Sequence, residues 1–330
     1  MITKFVDREE ELKALQELAQ KGSPLVEFIY GPEGCGKTRL LKEFTKQSNQ
    51  ITIYIDALER EDPTKALNIK IPITIKEITK EIIGNISGPL GKALADSIFT
   101  IIKTIAKRVK IKEKHIVIAV DDITRAIGLN QVEWYIKWLY EMIDKLHQEY
   151  NPESILIIAT TSEGKSLDLV KRHTYATTSL IWNLPKQPYL KLTQQLNPPD
   201  KNTAEKTWNL TGGNPRKLIE IAIKHKWNTQ TWLKHLEQQL LDTIRKIKAQ
   251  NLLKELQQII EDPDNIYHQA TPNMNKLYEL LTEENLVIYK YINTIDNKQI
   301  PKNIELGIGK YYAWQIPAYK KVIERILNEI

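Results

Sequence analysis

The chain has 330 residues, 42% apolar and 27% charged, and a formal net charge of +6, which suits two or three globular domains with hydrophobic cores. No run of about 18 apolar residues exists to span a membrane. The opening MITKFVDREEELKAL has neither the apolar core nor the cleavage site of a signal peptide, so a cytoplasmic protein is expected. The single cysteine, Cys35, excludes an intramolecular disulfide and a cysteine-built zinc site, and the histidines show no metal-ligand spacing. The positive charge is mostly lysine, which permits nucleic-acid binding but more commonly marks solvated faces.

In chain order, Asp7 followed by Glu10 reads as an N-cap and capping-box acid, opening a helix with an apolar stripe at Leu12, Leu15 and Leu18. Gly22-Ser23-Pro24 ends it. Residues 25–30 read as a strand, 31–38 as a loop, 39–45 as a helix and 51–55 as a second strand. The pattern from 75 to 109 is helical, with Leu90, Leu94, Ile98, Ile101, Ile105 and Val109 on one face. A continuous apolar strand follows at 116–120, then a helix rich in aromatics at 132–150, a strand at 154–159 and a fifth strand at 177–184. Such alternation predicts an α/β domain over residues 1–185, a parallel sheet with helices on both faces. Pro185, Pro188, Pro198 and Pro199 mark a change of composition. Helices around Gly212-Gly213 predict a small helical domain at 186–228. A long helical stretch at 230–260 then begins the last unit, 229–330. It continues with a helix at 273–284, strands at 286–292 and 311–316, and a closing helix at 318–330.

Gly31-Pro32-Glu33-Gly34-Cys35-Gly36-Lys37-Thr38 matches the phosphate-binding pattern G-x-x-x-x-G-K-[ST], set between a strand and a helix. The glycines let successive N–H groups curl inward at a positive helix end. Lys37 can reach the β- and γ-phosphates and Thr38 can ligate Mg²⁺, with Arg39 next in line. Cys35 is read chiefly as a small residue whose amide matters. A sharper reading is that a thiol adduct there would crowd the loop and abolish nucleotide binding. Ile116 to Val120 delivers Asp121 to a strand end, where it would hold Mg²⁺ through water while Asp122 polarises the attacking water. The strand ending Thr160-Thr161-Ser162 offers a hydroxyl to sense the γ-phosphate, assigned to Thr161. Arg172, with Arg125 as the alternative, could meet a neighbouring subunit's nucleotide.

Together these residues resemble the archaeal P-loop ATPase family, related to the AAA+ and STAND divisions. Phe5-Val6-Asp7-Arg8-Glu9-Glu10-Glu11-Leu12 is similar to that family's opening F-x-x-R-E-x-E-L helix, and Leu210-Thr211-Gly212-Gly213-Asn214-Pro215-Arg216 is similar to the STAND G-x-P segment and to sensor 2 of replication initiators. The resemblance covers residues 2–226. It implies that Phe5, Val6 and Arg8 border the nucleotide, that Pro215 approaches the adenine, and that Arg216 approaches the phosphates from a helical lid. It further implies ATP/ADP and Mg²⁺ as cofactors and a winged-helix-like α+β unit at the C-terminus. Asp122 stands where AAA+ enzymes usually carry Glu, which implies slow hydrolysis. Thr161-Ser162 lacks the arginine many STAND proteins have there.

Trp134, Tyr135, Trp138 and Tyr140 share one helix, read as packing or as a partner-docking stripe. In the last unit Lys298, Lys302, Lys310, Lys320 and Lys321 interleave with Tyr311, Tyr312 and Trp314, which would suit contact with the backbone of double-stranded DNA. Three functions compete. One is a slow ATPase switch that moves its C-terminal domain and acts on DNA or a protein, a monomer with ADP and a homo-oligomer when active. The second is an ATP-gated DNA-binding initiator or loader. The third is an oligomerising signalling or defence scaffold. A metabolic kinase is disfavoured, because the C-terminal residues offer no acceptor-substrate site.

Overall fold

The computed structural model describes residues 3–59, 66–70, 94–172 and 174–329. Helix α1 (Glu9–Lys21) leads to β1 (Val26–Tyr30), the glycine loop and α2 (Lys37–Gln47). Next come β2 (Ile51–Asp56), β3 (Leu67–Lys70), α3 (Leu94–Arg108), β4 (His115–Asp121), α4 (Ile123–Ile127) and α5 (Leu129–Tyr150). The sequence then gives β5 (Ser154–Thr161), α6 (Gly164–Lys171) and β6 (Ala176–Leu180). The strands lie in the order β3-β2-β4-β5-β1-β6, all parallel except β3, which runs antiparallel to β2. β1, β2, β4 and β5 are buried almost throughout, which explains their continuous apolar runs.

Alternation assigns the two faces. Val26, Phe28, Ile53, Ile118 and Ile157 point to the side covered by α3 and α5. Ile29, Tyr54, Val117, Ala119, Leu156 and Ile158 point to α1 and α2, against Leu15, Leu40, Leu41 and Phe44.

After the sheet come α7 (Lys186–Gln195), α8 (Lys201–Thr211) and α9 (Pro215–Ile219), which runs on into a π-helical turn at Glu220–Lys224. Then follow α10 (Thr229–Ala249), α11 (Leu253–Glu261), α12 (Asn265–His268), α13 (Pro272–Glu283), β7 (Val287–Tyr289), β8 (Tyr312–Trp314) and α14 (Pro317–Asn328). β7 and β8 pair antiparallel as a small second sheet. α10, α11, α13 and α14 enclose a separate core of Trp232, Leu236, Leu256, Leu277, Trp314 and Ile323.

Several elements differ from the sequence expectations. The helix predicted from residue 75 is seen over Leu94–Arg108, and residues 75–93 lie outside the described residues. Asp7 does not cap α1: Arg8 holds the cap position at φ 77° with no side-chain cap bond. The Arg8 side chain is anchored elsewhere and fixes the backbone, while Glu9, Glu10 and Glu11 supply the negative charge favoured at the helix start. The stretch 230–260 breaks in two at Asn251, which takes the left-handed conformation (φ 56°). α7 forms across Pro188 because that proline falls in the first turn, where no N–H is needed. β6 ends at Leu180, four residues early: the Ile181 N–H to the Tyr30 carbonyl is the last rung against β1, and Leu184 N–H turns instead to the carbonyl of Gly213. The wing strands are three residues each, shorter than expected.

Asp264 organises the turn into β8. Its carboxylate accepts the N–H groups of Lys310 (2.5 Å), Tyr311 (2.7 Å) and Tyr312 (3.2 Å). Burial alone would raise this carboxyl, but the three amides and Lys302 outweigh it and hold its pKa below the ordinary carboxylate value. The stabilisation is thus present above the unfolded carboxylate pKa of about 3.9 and drains away as pH falls through the lower folded value. We expect Asp264→Asn to lose about 1–3 kcal/mol at pH 7 in urea unfolding. The gap to wild type should shrink only under acid conditions, below about pH 4.

Candidate functional site

Parallel order brings the carboxyl ends of β1, β5 and β4 side by side, with β5 between the glycine loop and Asp121. Ligands of open α/β sheets bind at this edge. The loop is compact because its glycines must be glycines. A Cβ on Gly31 would lie 2.0 Å from the Ile181 carbonyl oxygen, and one on Gly34 (φ 80°) would lie 2.5 Å from Cβ of Arg216. Lys37 is buried, and its ammonium donates to the carbonyls of Gly31 (2.8 Å) and Pro32 (3.0 Å). A cavity of about 400 Å³ is lined by Gly34, Gly36, Lys37, Thr38, Arg39, Asp122, Ser162, Pro215 and Arg216.

Asp121 is buried at the end of β4. Its Oδ2 accepts from the Tyr54 hydroxyl (2.8 Å) and its Oδ1 from the Thr160 hydroxyl (2.5 Å). Thr160 Oγ1 in turn accepts the N–H of Asp122 (2.9 Å). Thr161, the hydroxyl singled out from sequence, points to the opposite face, where Thr124 (2.9 Å) and Ser166 (3.0 Å) donate to it. The residue beside the carboxylate is therefore Thr160, one position earlier. Burial and the neighbouring Asp121 charge raise the pKa of Asp122, against the opposing pull of Lys37, Arg125 and Arg216.

Thr38, Asp56, Asp121, Asp122 and Arg216 line a cavity of about 570 Å³. Among the described residues no group of three or more histidine, cysteine or carboxylate side chains could itself enclose a metal. One hydroxyl with carboxylates set behind it suits Mg²⁺, which keeps several waters and takes the rest of its shell from phosphate. Asp121, with both oxygens already hydrogen-bonded, fits a role through water.

Beside the loop lies an apolar cavity of about 220 Å³ lined by Phe5, Val6, Leu184, Leu192, Pro215 and Ile219. Arg8 borders it but is buried and committed: it donates to the carbonyls of Cys35 (3.2 Å) and Trp182 (2.5 Å) and pairs with Glu11 (2.6 Å). Arg39 donates to the Thr3 carbonyl (3.2 Å), which ties the N-terminal segment to the loop helix. Cys35 is 1% exposed, with Sγ 3.4 Å from the Ile181 carbonyl, so its thiol packs inward and is no surface for alkylation.

Residues 5–221, well over half of the chain, match the family described as an ATPase domain predominantly from Archaea. The chain belongs to this family. It is 22% identical over 276 residues to an uncharacterized ATP-binding protein of Pyrococcus abyssi, covering 79% of this chain and 84% of that one. It is also 22% identical over 348 residues to an uncharacterized ATP-binding protein of Methanocaldococcus jannaschii, covering 92% and 90%. The fold is shared with the Walker-type ATPase of Pyrococcus abyssi, at a TM-score of 0.56 and 16% identity over 97% of this chain and 96% of that one.

Within this archaeal ATPase domain the loop's main chain is gripped from outside. Asn214 caps α9 and donates Nδ2 to the Glu33 carbonyl (2.8 Å) and to Asn183 Oδ1 (3.0 Å); Arg216 N–H reaches the Gly34 carbonyl (3.3 Å). One residue past β8, buried Gln315 accepts the Glu33 N–H on its side chain (2.8 Å) while its main-chain carbonyl accepts from Asn183 (2.9 Å). Sequence reading prefers Thr161 to its neighbour Thr160 and misses Tyr54, Asn183 and Gln315. Parity along β2, β4 and β5 could have found Thr160 and Tyr54; nothing local marks the others.

Two expected features lie elsewhere. Arg172 caps the far end of α6, roughly 12 Å along the helix axis from the strand edge, and is exposed there. Arg125 pairs with Glu33 of the same chain (2.9 Å). On α5, Trp138 packs partly into the core and Trp134 is exposed. Among the described residues no helix is long and apolar enough to cross a membrane.

Because Arg8 holds two buried carbonyls, we expect Arg8→Ala to lose about 2–3 kcal/mol in denaturant unfolding, with Arg8→Lys restoring only part, since an ammonium cannot span both acceptors as the fork does. Native Cys35 should react with a thiol reagent orders of magnitude more slowly than the unfolded chain.

Proposed function

We propose that the chain binds Mg²⁺-ATP at the glycine loop, hydrolyses it slowly to ADP and phosphate, and couples nucleotide state to its helical lid (186–228) and C-terminal unit (229–330). The observation that carries this reading is the grip on Glu33: one loop residue is held by Asn214 of the lid through its carbonyl and by Gln315, just past β8, through its N–H. A change in loop conformation cannot leave both bonds undisturbed.

Each part has a role. Amides of residues 34–38 and Lys37 hold the phosphates, and the adenine face rests in the apolar cavity of Phe5, Val6, Leu184 and Pro215. Thr38, and Asp121 through water, hold the Mg²⁺, which neutralises phosphate charge when bound. Asp122 accepts a proton from the attacking water, and Thr160 fixes the Asp121 carboxylate and the Asp122 amide relative to each other. Aspartate in place of glutamate leaves the water less closely held. Arg172, exposed and at the far end of α6 from the loop, is assigned to a neighbouring copy's nucleotide rather than its own.

A protein partner is favoured over duplex DNA. Lys298 pairs with Glu10 and Asp296, Lys302 with Asp262 and Asp264, and Lys320 and Lys321 donate to the carbonyls of Ile304 and Asn209. Lysines spent on internal partners release few counterions on phosphate. Lys310 instead lies over the rings of Tyr291 and Tyr311, beside the stacked, largely exposed Tyr267.

Calorimetry should show Mg²⁺-ATP uptake by wild type and none by Lys37→Ala. Thr160→Val should keep binding but lose about 10²-fold in turnover, as expected for a misplaced reacting water. Wild-type protein that takes up no nucleotide would refute the proposal. Turnover unchanged by duplex DNA at low salt is expected; strong stimulation would restore the DNA reading.

A further inference from the structure

Glu33 is the single acid within the loop Gly31–Thr38. A carboxylate there adds negative charge beside amides that converge on an anion site, which by itself opposes phosphate binding. Its surroundings explain why it is tolerated. One oxygen, Oε1, accepts from Arg216 Nη1 at 2.8 Å and from Arg125 Nη2 at 2.9 Å. Burial would raise its carboxyl, but the two guanidiniums outweigh that and hold the pKa below the usual range.

The two arginines come from different elements, Arg125 from α4 just past Asp122 and Arg216 from the lid helix α9. Arg216 also lines both the cavity of Lys37 and Thr38 and that of Asp121 and Asp122. Its guanidinium therefore has two anions within reach, the Glu33 carboxylate and any phosphate in those cavities. A γ-phosphate carries more charge and more free acceptor oxygens than a carboxylate and wins that competition, whereas a β-phosphate is already engaged by the loop amides and Lys37. The bonds from Asn214 and from the Arg216 N–H to the loop's carbonyls do not involve the Glu33 side chain, so the guanidinium can exchange partners without first breaking them. The pair is also weak enough to exchange: the side chains are 56% and 33% exposed, so solvent screens the attraction.

Resting on the ATP reading above, we infer that Glu33 is an intramolecular stand-in for the terminal phosphate, holding Arg216 until a triphosphate displaces it and so making the lid sensitive to nucleotide length. Glu33 is a positioning residue, acting through Arg216. A diphosphate lacks the displacing group and leaves the pair closed.

The test is fluorescence titration with mant-ATP and mant-ADP in Mg²⁺ buffer on full-length wild type, Glu33→Gln, Arg216→Ala and the double variant, with melting temperatures as a folding control. Glu33→Gln should raise the ratio of ATP to ADP affinity roughly three- to fivefold, the scale of a partly exposed ion pair. That gain should vanish in the Arg216→Ala background. A merely structural role would shift both nucleotides together, and that result overturns the inference, as does a gain that persists without Arg216. Wild type that binds neither nucleotide sinks the ATP reading as well; binding with an unchanged ratio in Glu33→Gln sinks this inference alone.

Discussion

The rest of the structure depends on the close approach of main chain to main chain around residues 31–34. Gly31 lies so near the Ile181 carbonyl, and Gly34 so near Arg216, that neither tolerates a side chain. That proximity is what lets the segment after β6 and the segment opening α9 reach the loop. It also explains why Asn183, Asn214 and Gln315, buried and distant in sequence, form one hydrogen-bonded chain ending on both polar groups of Glu33. Buried amides of this kind are costly unless paired, so the chain holds together as a unit. Gln315 Nε2, at the end of this chain of bonds, has no hydrogen-bond partner among the described residues.

Sheet order does the remaining placement. With β5 inserted between β1 and β4, the hydroxyl of Thr160 reaches the carboxylate of Asp121 from one side while Tyr54 of β2 reaches it from the other. Both donors share the face of α2, because all three positions have the same parity relative to the paired register Tyr54↔Ala119 and Ala119↔Ile158. The left-handed backbone at Asp122 (φ 52°) then turns its side chain out of the sheet edge toward the cavity of Lys37 and Thr38. Strained backbone of this kind persists where surrounding bonds overdetermine it, here the Asp122 N–H to Thr160.

Much of this was legible in the chain. The glycine loop, the parallel sheet and the Asp121 strand end follow from motif and from continuous apolar runs, which only a doubly covered sheet explains. What escaped has physical causes. Thr161 was chosen over Thr160 although strand alternation separates them onto opposite faces. β3 is four residues in which polar Asn68 and Lys70 alternate with buried Leu67 and Ile69, too short a run for the periodicity to stand out. The opening motif marks Arg8 as bordering the nucleotide, but its commitment to the carbonyls of Cys35 and Trp182 is a tertiary contact that no local pattern shows. Gln315 sits in an aromatic run whose pattern says strand and core, and only long-range packing sets it against the loop.

On the proposed reading, loop amides hold phosphate while the lid and the C-terminal unit sense the loop. Hydrogen–deuterium exchange on the intact protein, with and without saturating Mg²⁺-ATP, tests it most directly. Slowed exchange at residues 34–38, accompanied by a change at 212–216 and around Gln315, is the expected result. Nucleotide uptake that leaves the exchange of residues 34–38 unaltered would contradict it.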